Sequence, residues 1–246
     1  MEEQATTRTG ALRALLHRIT SPQLRAAAVE VLQWRYGRVA RTKERVLRQY
    51  RSTPRIELEQ RVLAITPNGM VIETSLAEVR GHVTALLTTA LADVGVTSGT
   101  VLEAGAGDGT DLRAMRRIMP SVHFVGCDLV PRSREIVPAD MYHLPFATES
   151  VDAVITSRVL EQLPSDVGRA MREIARVTKR WLSSIEPDYE RATWLQRLYM
   201  IRQDYVRDIV GPARDAGLEL IRREWSYGGN PLNRPSMFVF AKRSVR

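Results

Sequence analysis

Apolar and polar residues alternate in regular blocks along the second half of the chain. Short apolar runs, which are typical of buried strands, occupy residues 100–104, 122–127, 151–156 and 181–185. Between them, apolar residues recur every three or four positions and predict helices at about 109–119 and 165–177. Strands that alternate with helices indicate an α/β fold, in which a parallel sheet carries helices on both faces.

The same pattern predicts the details of several helices and the end of the chain. The inward face of the helix at 109–119 should carry Leu112, Met115 and Ile118. One long helix is predicted over 189–216, with an apolar stripe made of Trp194, Leu198, Ile201 and Tyr205. The apolar segments at 218–225 and 237–241 predict a terminal antiparallel pair of strands. Between Asp128 and Asp140 there is room for only a short helix or turn.

The pattern within residues 1–95 predicts a separate, mostly helical extension, and residues 96–246 then form the core domain. Ser21 before Pro22 indicates a helix start, because serine is a favoured N-cap and proline suits the first helical position. Two apolar runs around an Asn-Gly turn at 68–69 predict a hairpin. Ser75 and Glu78 match a capping box, which begins a further helix that continues to about residue 91.

Charge adds an ambiguous signal in this extension. The 246-residue chain has 36 basic and 28 acidic residues, a net charge of +8. A set of arginines shares one helix face: Arg38, Arg41, Arg45 and Arg48. Such a face is either simply solvated or a docking site for an acidic substrate or partner, including the phosphates of RNA.

Composition narrows the class of protein. No apolar run reaches the roughly 18 residues of a membrane span. Met1-Glu-Glu-Gln has no basic and apolar signal pattern, so we expect a cytoplasmic protein with no membrane partner. The single cysteine, Cys127, excludes an internal disulfide and a cysteine-based zinc site, and the four histidines lack metal-ligand spacing.

The glycine-rich run that follows the first core strand is the strongest chemical signal. The strand ends in Glu103, and Gly105, Gly107 and Gly109 form a turn before a helix that begins near Asp111. Glycine lets the backbone turn tightly and approach a bound ligand closely. A carboxylate beside such a turn can bind a cationic or hydroxyl-rich ligand. Taken alone, this turn is equally typical of dinucleotide-binding enzymes.

Five motifs in order make residues 95–243 resemble the class I S-adenosylmethionine (SAM) methyltransferases, in the subfamily of the ubiquinone and menaquinone C-methyltransferases. The motifs are residues 103–109, 125–128, 139–146, 151–162 and 172–177. The resemblance implies a Rossmann-like doubly wound sheet of seven strands, with the last strand antiparallel, behind the helical N-terminal extension. It also implies SAM as the cofactor.

The resemblance assigns the parts of SAM to particular residues. Glu103 and the glycine backbone would face the methionyl portion, Asp128 would accept the ribose hydroxyls, and Asp140 would accept from the adenine amine. The implied cofactor set is Glu103, Ala104, Gly105, Gly107, Asp128, Leu129, Asp140, Met141 and Ser157. Asp152 is expected to support the sheet instead, and Arg80 could reach the methionyl carboxylate from the N-terminal helix.

Catalytic residues are harder to assign. Methyl transfer is an in-line displacement in which alignment carries much of the rate, and a base is needed only where the acceptor must lose a proton. We predict Arg158, Glu186 and Tyr189 as catalytic candidates. A wider set of polar residues expected near the acceptor adds His143, Glu161 and Asp188.

Three functions stay open at the level of sequence. The first is a methyltransferase for a small-molecule substrate, which the arginine-rich composition associates with secondary metabolism. The second is an RNA or protein methyltransferase that uses the arginine-rich N-terminal region. The third is a methyltransferase-fold protein that no longer methylates, as a regulator, partner subunit or repurposed enzyme. A homodimer through the N-terminal helices is a further expectation.

Overall fold

The computed structural model describes residues 43–52, 57–163 and 165–243. The predicted helix start at Ser21 and the positions of Arg38 and Arg41 lie outside these residues. Helix α1, Lys43–Ser52, carries Arg48 on an exposed surface. Within the described segments, no helix is long and apolar enough to cross a membrane.

The predicted hairpin and the helix after it are confirmed. Strands β1 (Arg61–Ile65) and β2 (Val71–Ser75) pair antiparallel. Helix α2, Leu76–Asp93, begins at the predicted capping box, in which the Ser75 side chain accepts from the N–H of Glu78. The backbones of Ile65 and Gly228 exchange two hydrogen bonds, of 2.8 and 2.9 Å. The hairpin is thereby joined to the loop after β8, on the core domain.

The core is one seven-stranded sheet, which confirms the predicted fold class. Its strands are β3 (Gly99–Ala104), β4 (Val122–Asp128), β5 (Ile136–Pro138), β6 (Val151–Ser157), β7 (Thr178–Pro187), β8 (Leu218–Trp225) and β9 (Pro235–Lys242). Their order is β5-β4-β3-β6-β7-β9-β8, and β9 is antiparallel to both of its neighbours. The chain leaves β3 in one direction and returns on its other side at β6. This reversal opens a crevice at the carboxyl ends of these strands, where open α/β sheets bind ligands.

Helices cover both faces of the sheet. They are α3 (Thr110–Ile118), α4 (Val167–Val177), α5 (Trp194–Arg202) and α6 (Val210–Asp215). Successive residues of a strand point to opposite faces, and Val101 and Leu102 accordingly belong to two different buried clusters. The cluster with Leu102 packs against α4, and the cluster with Val101 packs against α2 and α3.

Three local predictions are wrong. The segment after Asp128 adds the short strand β5, whose Ile136 pairs with Gly126 and so extends the sheet edge. The long helix predicted over 189–216 is two helices, because the chain turns at Asp204, whose φ is +52°. Its predicted apolar stripe is buried only in part, since Tyr205 is buried while Trp194 is 76% exposed. Ile118 is 54% exposed where α3 ends.

Candidate active site

A cavity of about 760 Å³ lies at the carboxyl ends of β3, β4 and β6, within the size range of small-molecule sites. Helices α1 and α2 and the loop at 227–230 form its other walls. Eight of the nine predicted cofactor residues line it. The exception is Ala104, which is fully buried in the core below the sheet's edge.

The glycine-rich turn is held against the segment that follows β6. The N–H groups of Gly105 and Ala106 both donate to the carbonyl of Cys127, at 2.7 and 2.9 Å. Gly105 has a φ of +89°, and a Cβ there would lie 2.9 Å from Cγ1 of Val159 and closer still to Cγ2. At Gly107, with φ +55°, a Cβ would have no neighbour within 4 Å. Close packing and the backbone angle therefore both require glycine at position 105, whereas at position 107 only the backbone angle favours it.

Two acids at the ends of neighbouring strands face the turn, and they differ in burial and in hydrogen bonding. Glu103 is 4% exposed, and its Oε2 atom has no hydrogen-bond partner among the described residues. Burial, reinforced by the nearby Asp111, raises the pKa of Glu103 to about 8. Asp128 is instead oriented by the backbone: its Oδ2 accepts from Gly107 at 2.9 Å and its Oδ1 from Val130 at 2.7 Å.

Arg80 of α2 reaches this end of the cavity, but its guanidinium is already paired. It binds both carboxylate oxygens of Asp111, at 3.1 and 2.8 Å, and lies 3.5 Å from Asp108. Burial opposes its charge, yet these acids raise the pKa of Arg80 above its ordinary value. Asp108, Asp111 and Asp128 act electrostatically on Glu103, as this guanidinium does, so four carboxyl groups lie at this end of the cavity. Such a surplus of acidic groups favours a cationic ligand.

The loop after β5 forms a third side of the cavity. The Asp140 carboxylate accepts from the N–H of Tyr142 at 3.1 Å, which fixes it within its own turn. Met141 and Tyr142 line the cavity beside it. His143 is exposed and contacts Arg169, and the described part of the cavity wall does not include it.

Arg158 lines the cavity from the segment that follows β6. It follows β6 in the left-handed backbone region, with a φ of +61°, and its Nε lies 3.4 Å from Oε2 of Glu161. Glu161 is 3% exposed and is held by two side-chain amides, from Gln162 at 2.9 Å and from Asn233 at 3.1 Å. Both charged residues line the cavity.

Two of the residues predicted as catalytic, Glu186 and Tyr189, lie away from the cavity. Within the described chain, neither residue lines the cavity. Glu186 is fully buried and accepts the N–H groups of Val159, Leu160 and Glu161, at 3.0 to 3.1 Å. It thus caps the short 3-10 helix Leu160–Gln162 and positions the segment that carries Arg158, and its burial raises the pKa of Glu186 to about 7.

Tyr189 and Asp188 are not part of the described cavity wall either, and both have partners elsewhere. Tyr189 packs against the guanidinium of Arg197, 5.6 Å from the ring centre. Asp188 is 1% exposed and is bound by Arg223 and Ser236. Its charge is therefore used in an internal ion pair.

Part of the cavity wall has no recognisable motif. Tyr227 and Asn230 come from the loop between β8 and β9, and Tyr50 comes from α1. Tyr227 stacks on His82 of α2, with ring centres 4.0 Å apart. Asn230 donates to the hydroxyl of Tyr199 at 3.1 Å. No signal in the sequence links these distant segments. Among the described residues, no group of histidine, cysteine and acidic side chains could hold a metal ion.

Comparison with known proteins agrees with this geometry. The family model described as a methyltransferase domain matches residues 102–181. A tRNA (carboxymethyluridine(34)-5-O)-methyltransferase from Arabidopsis thaliana is 31% identical over 130 residues, which are 47% of this chain. The match spans only 31% of the length of that relative.

Solved structures share the fold at low sequence identity. A putative sarcosine dimethylglycine methyltransferase from Galdieria sulphuraria has a TM-score of 0.55 and 15% identity, over 68% of this chain and 87% of that one. The magnesium protoporphyrin IX methyltransferase of Synechocystis PCC 6803, solved with bound SAH (S-adenosylhomocysteine), has a TM-score of 0.54 and 14% identity, over 80% and 93%. The cyclase SpnF has a TM-score of 0.50 and 17% identity, over 64% and 80%. At these identities the likeness establishes the fold alone.

Proposed function

We propose that this chain, which carries a methyltransferase domain on the class I fold, transfers a methyl group from SAM to a small-molecule acceptor. The observation that carries the proposal is the buried, unpartnered carboxyl oxygen of Glu103 beside a glycine turn that is open to the cavity. The membership in the ubiquinone-type subfamily, secondary metabolism, the cytoplasmic location and a homodimer remain predictions.

The residues of the cavity fit SAM part by part. The acid-rich end around Glu103 suits the ammonium of the methionyl portion and the positive sulfur. The oriented carboxylate of Asp128 still has free lone pairs for two ribose hydroxyls, because each oxygen accepts only one backbone N–H. Met141 offers an apolar, polarisable surface for a ring, beside the acceptor oxygens of Asp140.

When bound, SAM supplies an activated methyl group on a positively charged sulfur. The contribution of this chain is then to hold the two reactants in line and to exclude water. The described part of residues 1–95 is proposed to cover the site, since Leu47 of α1 and Val79 of α2 line the cavity. These apolar walls, together with Leu163 and Tyr227, suit a small acceptor with an apolar body.

Calorimetric titration with SAM and SAH tests the cofactor directly. We expect micromolar binding of both ligands with one site per chain, the affinity range of many enzyme–ligand pairs. A control titration with NADH should give no heat, because the acid-rich end disfavours its pyrophosphate. Absence of SAH binding would overturn the proposal.

An RNA substrate is the second candidate, and the 31% identical tRNA methyltransferase is the observation that favours it. The exposed Arg48 on α1 would then belong to a surface for phosphate groups. Binding through several phosphates falls steeply with salt, by about 0.7 in log K per contact and log unit of salt for single strands. A steep salt dependence of tRNA binding supports this candidate, and salt-insensitive activity on small acceptors excludes it.

The raised pKa of Glu103 predicts that cofactor binding depends on pH. Below pH 8 the free carboxyl holds its proton, and a ligand ammonium beside it must displace that proton. SAH affinity should therefore rise from pH 6 to pH 8, by up to about tenfold per unit, and level off above pH 8. Calorimetry in buffers of different ionisation enthalpy should detect proton release at pH 7.

Two controls make this prediction specific to Glu103. Glu103→Gln has no titrating carboxyl, so its SAH affinity should be weaker at pH 8 and nearly flat with pH. The ligand 5′-methylthioadenosine has no ammonium group and should show no rise with wild type. An equal pH dependence in wild type and Glu103→Gln would contradict the assignment.

A further inference from the structure

We infer that Arg158 anchors a carboxylate of the methyl acceptor, so that the small-molecule substrate is an anion with an apolar body. The inference rests on the proposed function and names its substrate class. Its first support is the backbone: Arg158 has a φ of +61°, a conformation that a long side chain rarely adopts. Such conformations persist where the surrounding structure enforces them, and they cluster at ligand-binding sites.

The second support is the set of unused donors on the guanidinium. Its Nε is buried without a hydrogen-bond partner among the described residues. Its contact with Glu161, at 3.4 Å, is an ion pair without hydrogen-bond geometry. An arginine presents five N–H donors in a planar fork, which matches a carboxylate in a bidentate manner. The side chain of Arg158 is 33% exposed and lines the cavity, so the outer N–H groups of its guanidinium are available to a ligand there.

Glu161 pairs with the charge of Arg158 without accepting a hydrogen bond from its guanidinium. Both of its oxygens already accept amide hydrogens, from Gln162 and Asn233, and Glu186 holds its backbone N–H. This network limits the movement of Glu161 toward the guanidinium. Burial works against the charge of Arg158, yet Glu161 and the neighbouring tyrosine hydroxyls raise the pKa of Arg158, so it stays cationic.

The groups that act on Arg158 differ from those that act on Glu103. The groups that act electrostatically on Arg158 are Glu161, Glu186, Tyr199 and Tyr205, which lie toward α5. Those that act on Glu103 are Asp111, Arg80, Asp108 and Asp128, which surround the glycine turn. The two sets share no member. The carboxylate on Arg158 is accordingly that of the acceptor and not that of SAM, and Leu163 and Tyr227 line the same cavity as apolar surface for the body of the acceptor.

Benzoate and its neutral isostere benzamide provide the test. Ligand-observed NMR titrations on the SAH-saturated protein should show benzoate binding at least about tenfold more tightly than benzamide. Arg158→Gln should remove this preference and leave SAH affinity within about twofold. Arg158→Lys keeps the charge without the fork and should retain a smaller preference. The matched control is Arg172→Gln, which removes a positive charge from an exposed position of α4 and should change nothing.

Two outcomes would overturn the inference. One is an unchanged benzoate preference in Arg158→Gln. The other is weaker SAH binding in Arg158→Gln together with unchanged binding of 5′-methylthioadenosine, which would assign Arg158 to the methionyl carboxylate. If wild type binds no SAH at all, the proposed function fails instead, while the benzoate preference of the free protein still reports on Arg158.

Discussion

Replacing Asp128 with alanine is expected to weaken SAH binding by on the order of 100-fold or more. The carboxylate is proposed to accept both ribose hydroxyls, and each hydrogen bond to a charged group is worth about 1.5–3 kcal/mol. The substitution also removes the acceptor that orients the N–H groups of Gly107 and Val130. Both losses act on the ligand site, so calorimetry with SAH is the direct measurement.

The chain offers a matched control for this substitution in the same sheet. Asp152 is also a strand acid, and it accepts from the N–H of Thr100 at 2.8 Å and from Lys179 at 3.1 Å. It is not part of the described cavity wall. Asp152→Asn should therefore leave SAH affinity within about twofold of wild type. Equal losses in the two variants would mean that Asp128 acts through the stability of the sheet and not through the ligand.

Gly105→Ala is expected to lower the free energy of unfolding by about 3 kcal/mol and to abolish SAH binding at ordinary ligand concentrations. The left-handed backbone at φ +89° costs alanine roughly 1–2 kcal/mol. The overlap of its Cβ with Val159 adds roughly 1–3 kcal/mol, as overpacking does in a core. For a chain of this size, the melting temperature should fall by roughly 6–12 °C.

Two further variants separate the steric cause from the backbone cause. Gly107→Ala has a left-handed φ of +55° but open space around its Cβ, so it should lose only about 1 kcal/mol. Adding Val159→Ala to Gly105→Ala removes the methyl groups that clash and should recover part of the lost stability. Additive effects in this double-mutant cycle would show that Gly105 and Val159 do not interact.

Much of the cofactor site could be predicted from the sequence because its residues are local to strand ends. Glu103 and Asp128 directly follow apolar runs, and the carboxyl ends of parallel strands meet at one edge of the sheet. An acid that directly follows an apolar run can therefore be placed at this edge of the sheet from its position in the sequence. The same argument places Ser157, at the end of β6, in the cavity, whereas Asp140 is assigned by the resemblance alone.

The acceptor end could not be predicted in this way. Glu186 lies at the carboxyl end of β7 as Asp128 lies at that of β4, yet it is buried against the backbone at Leu160. The difference arises because three N–H groups of another segment satisfy its carboxylate. Likewise, Asn233 donates a hydrogen bond to Glu161 although the two residues are 72 positions apart in the sequence. No local sequence pattern predicts such a contact.

The resemblance implied the number of seven strands, and the sequence by itself determined the alternation of strands and helices, the hairpin, the capped helix α2 and the glycine turn with its acids. Each of these follows from hydrophobic period, capping or turn chemistry, which act between near neighbours along the chain. Only the tertiary structure decided that β5 completes the sheet edge, that the helix after Thr193 breaks at Asp204, and that Arg158 faces the cavity while Glu186 supports it. These outcomes depend on which distant groups form hydrogen bonds with a buried charge or with an unpaired strand edge. Several groups could do so, and the packing of the segments against each other decides which of them does.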